Sequence, residues 1–571
     1  MSYRTRSQSE THIIESSPAP FTDECFKREM MILRDTVNWE DVPERRKFVH
    51  QFYNLILDYC GRVPDLQAIF RPELLERLLL DCTDYISFRY FDDTLFTVGQ
   101  VVMKFVSLSG YRHEPRVDKH GKPLLKRITP LHHLISYPDP QLVNYLFRIY
   151  DKYEANYINE ETGITHFHVA CTTGRVDIVR QFLELGHVDP NLLVPETRNT
   201  PLHYAIAYCN RPVVELLLKC GGNPHSVNVD GSTALHVACR STSDDAVPRM
   251  LFEFSDERHR PIQVDARDNL HNTSLHLALR YAKLGMDVVE LLLRRGADPN
   301  SADATGSTPL HCICKKSVLN KGDFLYQFIK IAQLQNHKLQ FDARDNAGWT
   351  PLQWAVSSFD PKAVRVLLKH GADLSQFIFP TDLLSCFGTE IDPRNSNYKL
   401  LLVSRALATI EILERQGYEL DRPDAVTIMK YFVDYELIEK TTDVDKSWCS
   451  DESFIRQAKT MWVRPNLSLH DLIQLRPRKE AKLLSFMDYH KLSCNVNFWM
   501  ILSDKHRRAC ILHLCEMMSK RFFSSWTVEW FYLLIHCRLP LECCYMILEE
   551  LKNEDMYRIC LAHVGQRLDR L

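Results

Sequence analysis

The chain has 571 residues, 45% of them hydrophobic and 25% charged, with a formal net charge of -3. That composition is ordinary for a globular chain and excludes collagen-like, mucin-like and wholly disordered classes. With 70 basic against 73 acidic residues, no global positive field attracts nucleic acid or an anionic membrane. Apolar runs such as 94–103 and 530–537 fall short of the roughly 20 residues a membrane helix needs.

Residues 1–22 are Ser/Thr-rich and charged, with no apolar core for a signal peptide. They are expected to form a disordered tail. A chain without a leader keeps its thiols reduced, so the eighteen cysteines are expected to form no structural disulfides, in the cytoplasm or nucleus. Residues 23–124 read as a helical capping region. Phe48, Phe52, Leu55, Ile56, Tyr59 and Cys60 share one helical face, as do Leu74, Leu75, Leu78, Leu79 and Cys82, and Val98, Val101, Val102 and Phe105. Gly110 to Arg127 reads as a loop able to form a hairpin.

Residues 125–378 carry an internal repeat. The tetrapeptide Thr-Pro-Leu-His, or a near variant, begins at Thr129, Thr165, Thr200, Thr233, Thr273, Thr308 and Thr350, at spacings of 36, 35, 33, 40, 35 and 42 residues. In each copy Thr is placed to cap a first helix, and Pro stands where no amide hydrogen is needed. A second run, clearest from Val289 to Asn300, supplies a buried Leu-Leu-Leu face and then a glycine (Gly296, with Gly221 and Gly371 elsewhere) for a left-handed cap. Asp-Gly or Asp-x-x-Gly turns precede the tetrapeptides. This pattern closely resembles the ankyrin repeat. It departs at His166 and Phe167, which replace Pro-Leu, and at Gln353, which replaces His. Insertions at 241–261 and 315–337 are expected to make repeats irregular. The six tetrapeptide histidines (His132, His168, His203, His236, His276, His311) are expected to hydrogen-bond locally, as neutral turn residues rather than metal ligands. The resulting fold class is all-α, a solenoid of about seven repeats between helical flanks.

Beyond residue 378, Lys399 to Gln416 reads as an amphipathic helix ended by Gly417, and further helices fill 379–535. Cys510, His513 and Cys515 are close in sequence but lack the paired spacing of a structural zinc site, so no metal and no cofactor are expected. Ser468 is placed to cap a helix. The segment from Asn466 to Leu475 also faintly resembles the start of a SOCS box, without its cysteine.

Residues 536–571 hold Leu539-Pro540-Leu541-Glu542, then Ile547-Leu548, Leu551 and Asp555-Met556. Pro540 begins one helix and Asn553 is placed to cap a second. Leu541, Cys544, Ile547, Leu548 and Leu551 form an apolar stripe. Two helices this short make no core of their own, so the stripe packs on preceding helices or on a partner. The segment resembles the front of an F-box, and at the end of a chain with ankyrin repeats it is more specifically similar to the PRANC domain of poxvirus and parasitoid-wasp ankyrin proteins. That resemblance implies binding to the Skp-type adaptor of a Skp–cullin–F-box ubiquitin ligase. The adaptor contacts it implies are Leu539, Pro540, Leu541, Glu542, Ile547, Leu548, Leu551, Asp555, Met556 and Ile559. The alternative is an ordinary terminal helical hairpin.

The sequence contains no phosphate loop, nucleophile elbow or zinc-protease motif, so no enzyme is expected. The first functional reading is a substrate receptor: the repeats hold a target protein and the last helices hold a ligase adaptor. Target contacts are expected at the turn residues Asp230, Asn269, His271, Asp303, Asp345, Asn346 and Trp349, with Trp349 as an aromatic anchor. The second reading is a non-catalytic scaffold or inhibitor that masks a signalling or transcription protein, since a fold does not name a function.

Overall fold

The computed structural model describes residues 23–87, 93–185, 188–241, 245–257, 261–281, 286–316, 321–381, 383, 397–438, 446–475 and 477–568. The tail expected at 1–22 lies outside them. The chain divides into two compact units, residues 1–263 and 264–571. The boundary falls inside the repeat run rather than at an edge of it.

In the first unit, helices Asp23–Thr36, Val42–Asp58, Pro72–Ser87 and Asp93–Leu108 precede the repeats. Phe26, Phe48, Phe52, Phe70 and Phe105 interlock at its centre, with Phe48 and Phe52 stacked at 5.7 Å and Phe52 edge-on to Phe105 at 5.8 Å. The hairpin at Gly110–Arg127 closes through an antiparallel bridge between Val117 and Pro123. Asp118 fastens its turn by accepting from the backbone N–H groups of His120 and Lys122.

The helix pairs that follow are built as the sequence suggests. The outer helices Val176–Glu184, Arg211–Lys219, Met286–Arg294 and Pro361–Lys369 each have nine residues. The two insertions lengthen outer helices instead of breaking the pattern: Ala246–Glu257 has 12 residues and Lys321–Leu334 has 14. Gly296 follows its helix with φ +90°, a conformation a side chain disfavours. The departure at His166 has its own compensation. His166 is fully buried and its Nε2 meets the Thr129 hydroxyl of the preceding repeat at 2.7 Å, while Phe167 packs on Phe182 at 5.7 Å.

In the second unit, helix Tyr398–Arg415 buries residues almost all round. The amphipathic expectation is therefore corrected: it is the central helix, packed on Phe486–Cys494 and Asp504–Leu534. Its Arg405 is 5% exposed and seals the last repeat, donating to the carbonyls of Phe359 and Ser358 at 2.9 and 3.3 Å and lying 3.7 Å from Asp360. Helix Asp504–Leu534 is 31 residues long, and the final helices Leu541–Glu550 and Asn553–Leu568 pack against it. A two-stranded sheet, Trp462–Arg464 with Leu467–Ser468, leads into helix Leu469–Gln474. Ser468 and Asp471 form its capping box, and Leu469, Leu472 and Ile473 are buried. Among the described residues no helix is long and apolar enough to cross a membrane.

Candidate interaction surfaces

Five of the tetrapeptides place an imidazole between two repeats. In the second copy, Thr165 accepts from the His168 backbone N–H, and His168 Nδ1 accepts from the Thr165 backbone N–H at 3.2 Å. A backbone N–H can only donate, so Nδ1 is bare and Nε2 carries the proton. His168 Nε2 then donates to the Leu192 carbonyl at 3.0 Å. The same link runs from His203 to Ser232, from His276 to Ser307 and from His311 to Trp349, at 2.9 to 3.2 Å. Gln353 reproduces it without an imidazole: its Oε1 accepts from the Thr350 N–H at 2.9 Å and its Nε2 donates to the Ile378 carbonyl at 3.0 Å. Burial opposes protonation and pulls His132, His168 and His203 down to about 4. These histidines are structural ties.

The turns preceding the tetrapeptides share a second device. Asn228, Asp268, Asp303 and Asp345 each turn a side-chain oxygen inward, where it accepts from backbone N–H groups two and four residues on, at 2.8 to 3.0 Å. This corrects two expected target contacts. Asp303 and Asp345 are only 7% and 6% exposed, and are spent on their own turns. Asp303 also pairs with Arg280 at 2.9 Å, and Asp345 with Lys315 at 2.8 Å and with the Trp354 indole N–H at 2.9 Å. The donors around Asp345 hold its carboxyl below the usual carboxylate range. Trp349 is half-buried and lies against Trp354 with ring centroids 4.6 Å apart, so it is packed on the neighbouring helix rather than free at a tip. Asp230, Asn269, His271 and Asn346 are exposed. Beside them stand aliphatic side chains that the sequence reading passed over: Val229 at 53% and Leu270 at 65% exposure. The tips within the second unit are joined edge to edge by backbone bonds from Ala304 to Leu270 and from Asn346 to Thr305.

At the other end, the apolar stripe of helix Leu541–Glu550 splits. Cys544 and Leu548 are buried against the chain's own helices. Leu539, Pro540, Leu541, Glu542 and Ile547 are exposed, as are Tyr545 and Met546, the latter at 69%. Leu551, Asp555 and Ile559 are half-buried. Met556 is fully buried, its sulfur 3.6 Å from the Ser524 hydroxyl, so Met556 and Leu548 face inward rather than toward a partner. Asn553 is an anchor and not a cap: it is buried, its backbone N–H donates to the Glu516 carboxylate, and its amide donates to the Glu516 carbonyl at 3.0 Å. Lys552 precedes the helix, and its N–H donates to Asp555 at 3.2 Å.

The Cys510, His513 and Cys515 cluster is not a metal or reactive centre. Cys510 and Cys515 are fully buried and burial pushes their thiols up, while His513 bonds the Ile473 carbonyl at 3.2 Å. Among the described residues no group of three His, Cys, Asp or Glu side chains is placed to hold a metal.

The ankyrin-repeat family model matches the chain three times, over residues 131–228, 207–303 and 281–377. Residues 131–377 are ankyrin repeats. Similar curated proteins include human B-cell lymphoma 3 protein, 28% identical over 221 residues, which is 38% of this chain and 45% of that protein. Human transient receptor potential cation channel subfamily A member 1 is 24% identical over 207 residues, 36% of this chain and 18% of that protein. Palmitoyltransferase AKR1 of Lachancea kluyveri is 31% identical over 148 residues, 26% of this chain and 19% of that protein. The chain spans less than half the length of these relatives. Similar solved structures include the ankyrin repeat domain of Bcl-3 (26% identity, TM-score 0.32, 37% of this chain and 89% of that one) and the human ASB11 ankyrin repeat domain (22% identity, TM-score 0.32, 44% and 99%). A channel, an acyltransferase and a lymphoma protein share no single activity. The ankyrin repeats themselves imply a protein–protein interaction surface.

Proposed function

We propose that this chain is a substrate receptor for a Skp–cullin–F-box type ubiquitin ligase. The ankyrin repeats hold the target and the last two helices hold the Skp-type adaptor. The observation that carries this reading is the outward arc of helix Leu541–Glu550. Leu541, Tyr545, Met546 and Ile547 are 37% to 69% exposed, although Cys544 and Leu548 already anchor the helix to its own domain. A terminal hairpin with a purely structural role gains nothing by presenting these side chains, whereas clustered exposed apolar residues rimmed by charge mark a partner surface. Glu542, Glu549 and Glu550 are exposed around them.

The target contacts are the turn tips of each unit taken by itself: Asp230 with the apolar Val229 in the first, and Asn269, His271 and Asn346 with the apolar Leu270 in the second. Such a receptor performs no chemistry. It raises the effective concentration of target lysines near a ubiquitin-loaded enzyme. The test is a pull-down of purified Skp-type adaptor by the full chain, comparing wild type with Leu539→Ala plus Pro540→Ala. Both positions are exposed, so the variant keeps its fold. Binding lost in the variant supports the reading. No binding by folded wild type removes it and leaves an ankyrin scaffold.

A further inference from the structure

A cavity of about 890 Å³ opens in the first unit, and none of the turn-tip residues lines it. Its walls come from the end of helix Asp23–Thr36 and the loop after it, the first turns of helix Pro72–Ser87, and the flanks of the first hairpin. Five arginines line it: Arg34, Arg71, Arg77, Arg116 and Arg127. Two of them are committed to the fold. Arg34 pairs with Asp35 and bonds the Ile69 carbonyl, and Arg77 pairs with Glu40 and bonds the Trp39 carbonyl at 3.0 Å.

The other three have donors to spare. Arg71 is exposed and has no side-chain partner among the described residues. Arg116 lies 3.6 Å from Glu73, with both side chains more than half exposed, a surface pair that an anionic ligand easily displaces. Arg127 pairs with the buried Glu76 through Nη2, but its Nη1 is buried with no hydrogen-bond partner. The wall also includes Arg71, Glu73 and Leu74 at the start of a 16-residue helix, where the helix dipole favours negative charge. Lys126 is exposed on the same hairpin and strengthens the local positive field.

We infer that this cavity binds a small polyphosphate ligand, with Arg71, Arg116 and Arg127 as its donors. Guanidinium groups match phosphate oxygens in geometry and charge. Three such groups, one preceding helix Pro72–Ser87 and two on opposite flanks of the hairpin, around a volume suited to a small molecule, fit several phosphates rather than one. The site is independent of the adaptor surface.

The experiment is calorimetric titration of the full chain with inorganic triphosphate at low salt. Wild type is compared with Arg71→Ala plus Arg116→Ala, and with Lys119→Ala plus Lys122→Ala as the off-cavity control. The expected result is one site per chain that weakens with salt, about tenfold or more weaker in the arginine variant and little changed in the lysine variant. Circular dichroism checks that each variant is folded, and all four substituted positions are exposed. A parallel titration with ATP separates the sources: tighter binding than triphosphate points to a nucleotide, equal binding to phosphate alone, and both keep the inference. No heat up to millimolar triphosphate overturns it, as does equal binding by wild type and the arginine variant, or a lysine variant weakened as much as the arginine one.

Discussion

Replacing His132, His168 and His203 together by glutamine isolates what the tetrapeptide histidines do with pH. Gln353 shows within this chain that an amide makes both bonds, accepting from the Thr350 N–H and donating to the Ile378 carbonyl. The triple variant therefore keeps its connections, and its stability at pH 7.5 stays within about 1 kcal/mol of wild type. Acid separates the two proteins. Each histidine has an ordinary value of 6.5 and lies at about 4 in the fold. A depressed folded value means full stability above 6.5, lost as pH falls toward 4, because the unfolded chain takes up the proton first. At pH 5 each buried histidine costs wild type about 2 kcal/mol, and the three together about 6 kcal/mol, a large share of a domain's net stability. Urea unfolding followed by circular dichroism at pH 7.5, 6.5, 5.5 and 5.0 measures the difference. The glutamine variant is expected to lose far less stability between pH 6.5 and 5.0. Parallel losses in the two proteins would refute the assignment of neutral, Nε2-protonated imidazoles.

Other substitutions test the remaining ties. Asp345→Ala removes the acceptor of two backbone N–H groups and the partner of Lys315 and Trp354, and is expected to cost about 2–4 kcal/mol by chemical denaturation. Asp345→Asn is expected to cost less, since Asn228 fastens an equivalent turn. Arg405→Ala leaves the carbonyls of Ser358 and Phe359 and the Asp360 carboxylate without their buried donor. A loss of about 3–5 kcal/mol is expected, read as a lower urea midpoint and as new protease cleavage next to the last repeat. Asp230→Ala and Leu270→Ala alter exposed tips, so each is expected to change stability by less than about 0.5 kcal/mol while weakening capture of a target.

The repeats were legible because their chemistry is local. Thr, Pro and His at adjacent positions dictate a capping box whatever the rest of the chain does, and a glycine after a Leu-rich run marks its helix end. The turn aspartates misled for the same reason. Asp303 and Asp345 look like exposed tips in a polar run, but an aspartate that opens a tight turn points its carboxylate into it. The apolar tips Val229 and Leu270 carry no sequence signal, being single aliphatics in short loops. Periodicity also fails where a helix is apolar around much of its circumference. Tyr398–Arg415 is buried nearly all round, so no face stands out. Leu541 to Leu548 has apolar side chains on several sides, so spacing does not say which pack inward. The structure selects Cys544 and Leu548, and leaves Met546 outside. The cavity near Arg127 was invisible because its walls come from segments about 90 residues apart.

The adaptor surface is tested most directly by calorimetric titration of the purified Skp-type adaptor into the full chain, wild type against Met546→Asp plus Ile547→Asp. Both side chains are exposed, so the variant folds, and charge on an apolar contact disfavours association. The receptor reading predicts a saturable isotherm for wild type and none for the variant. An isotherm unchanged by the two aspartates would contradict the surface assigned here, and no binding by wild type would contradict the function.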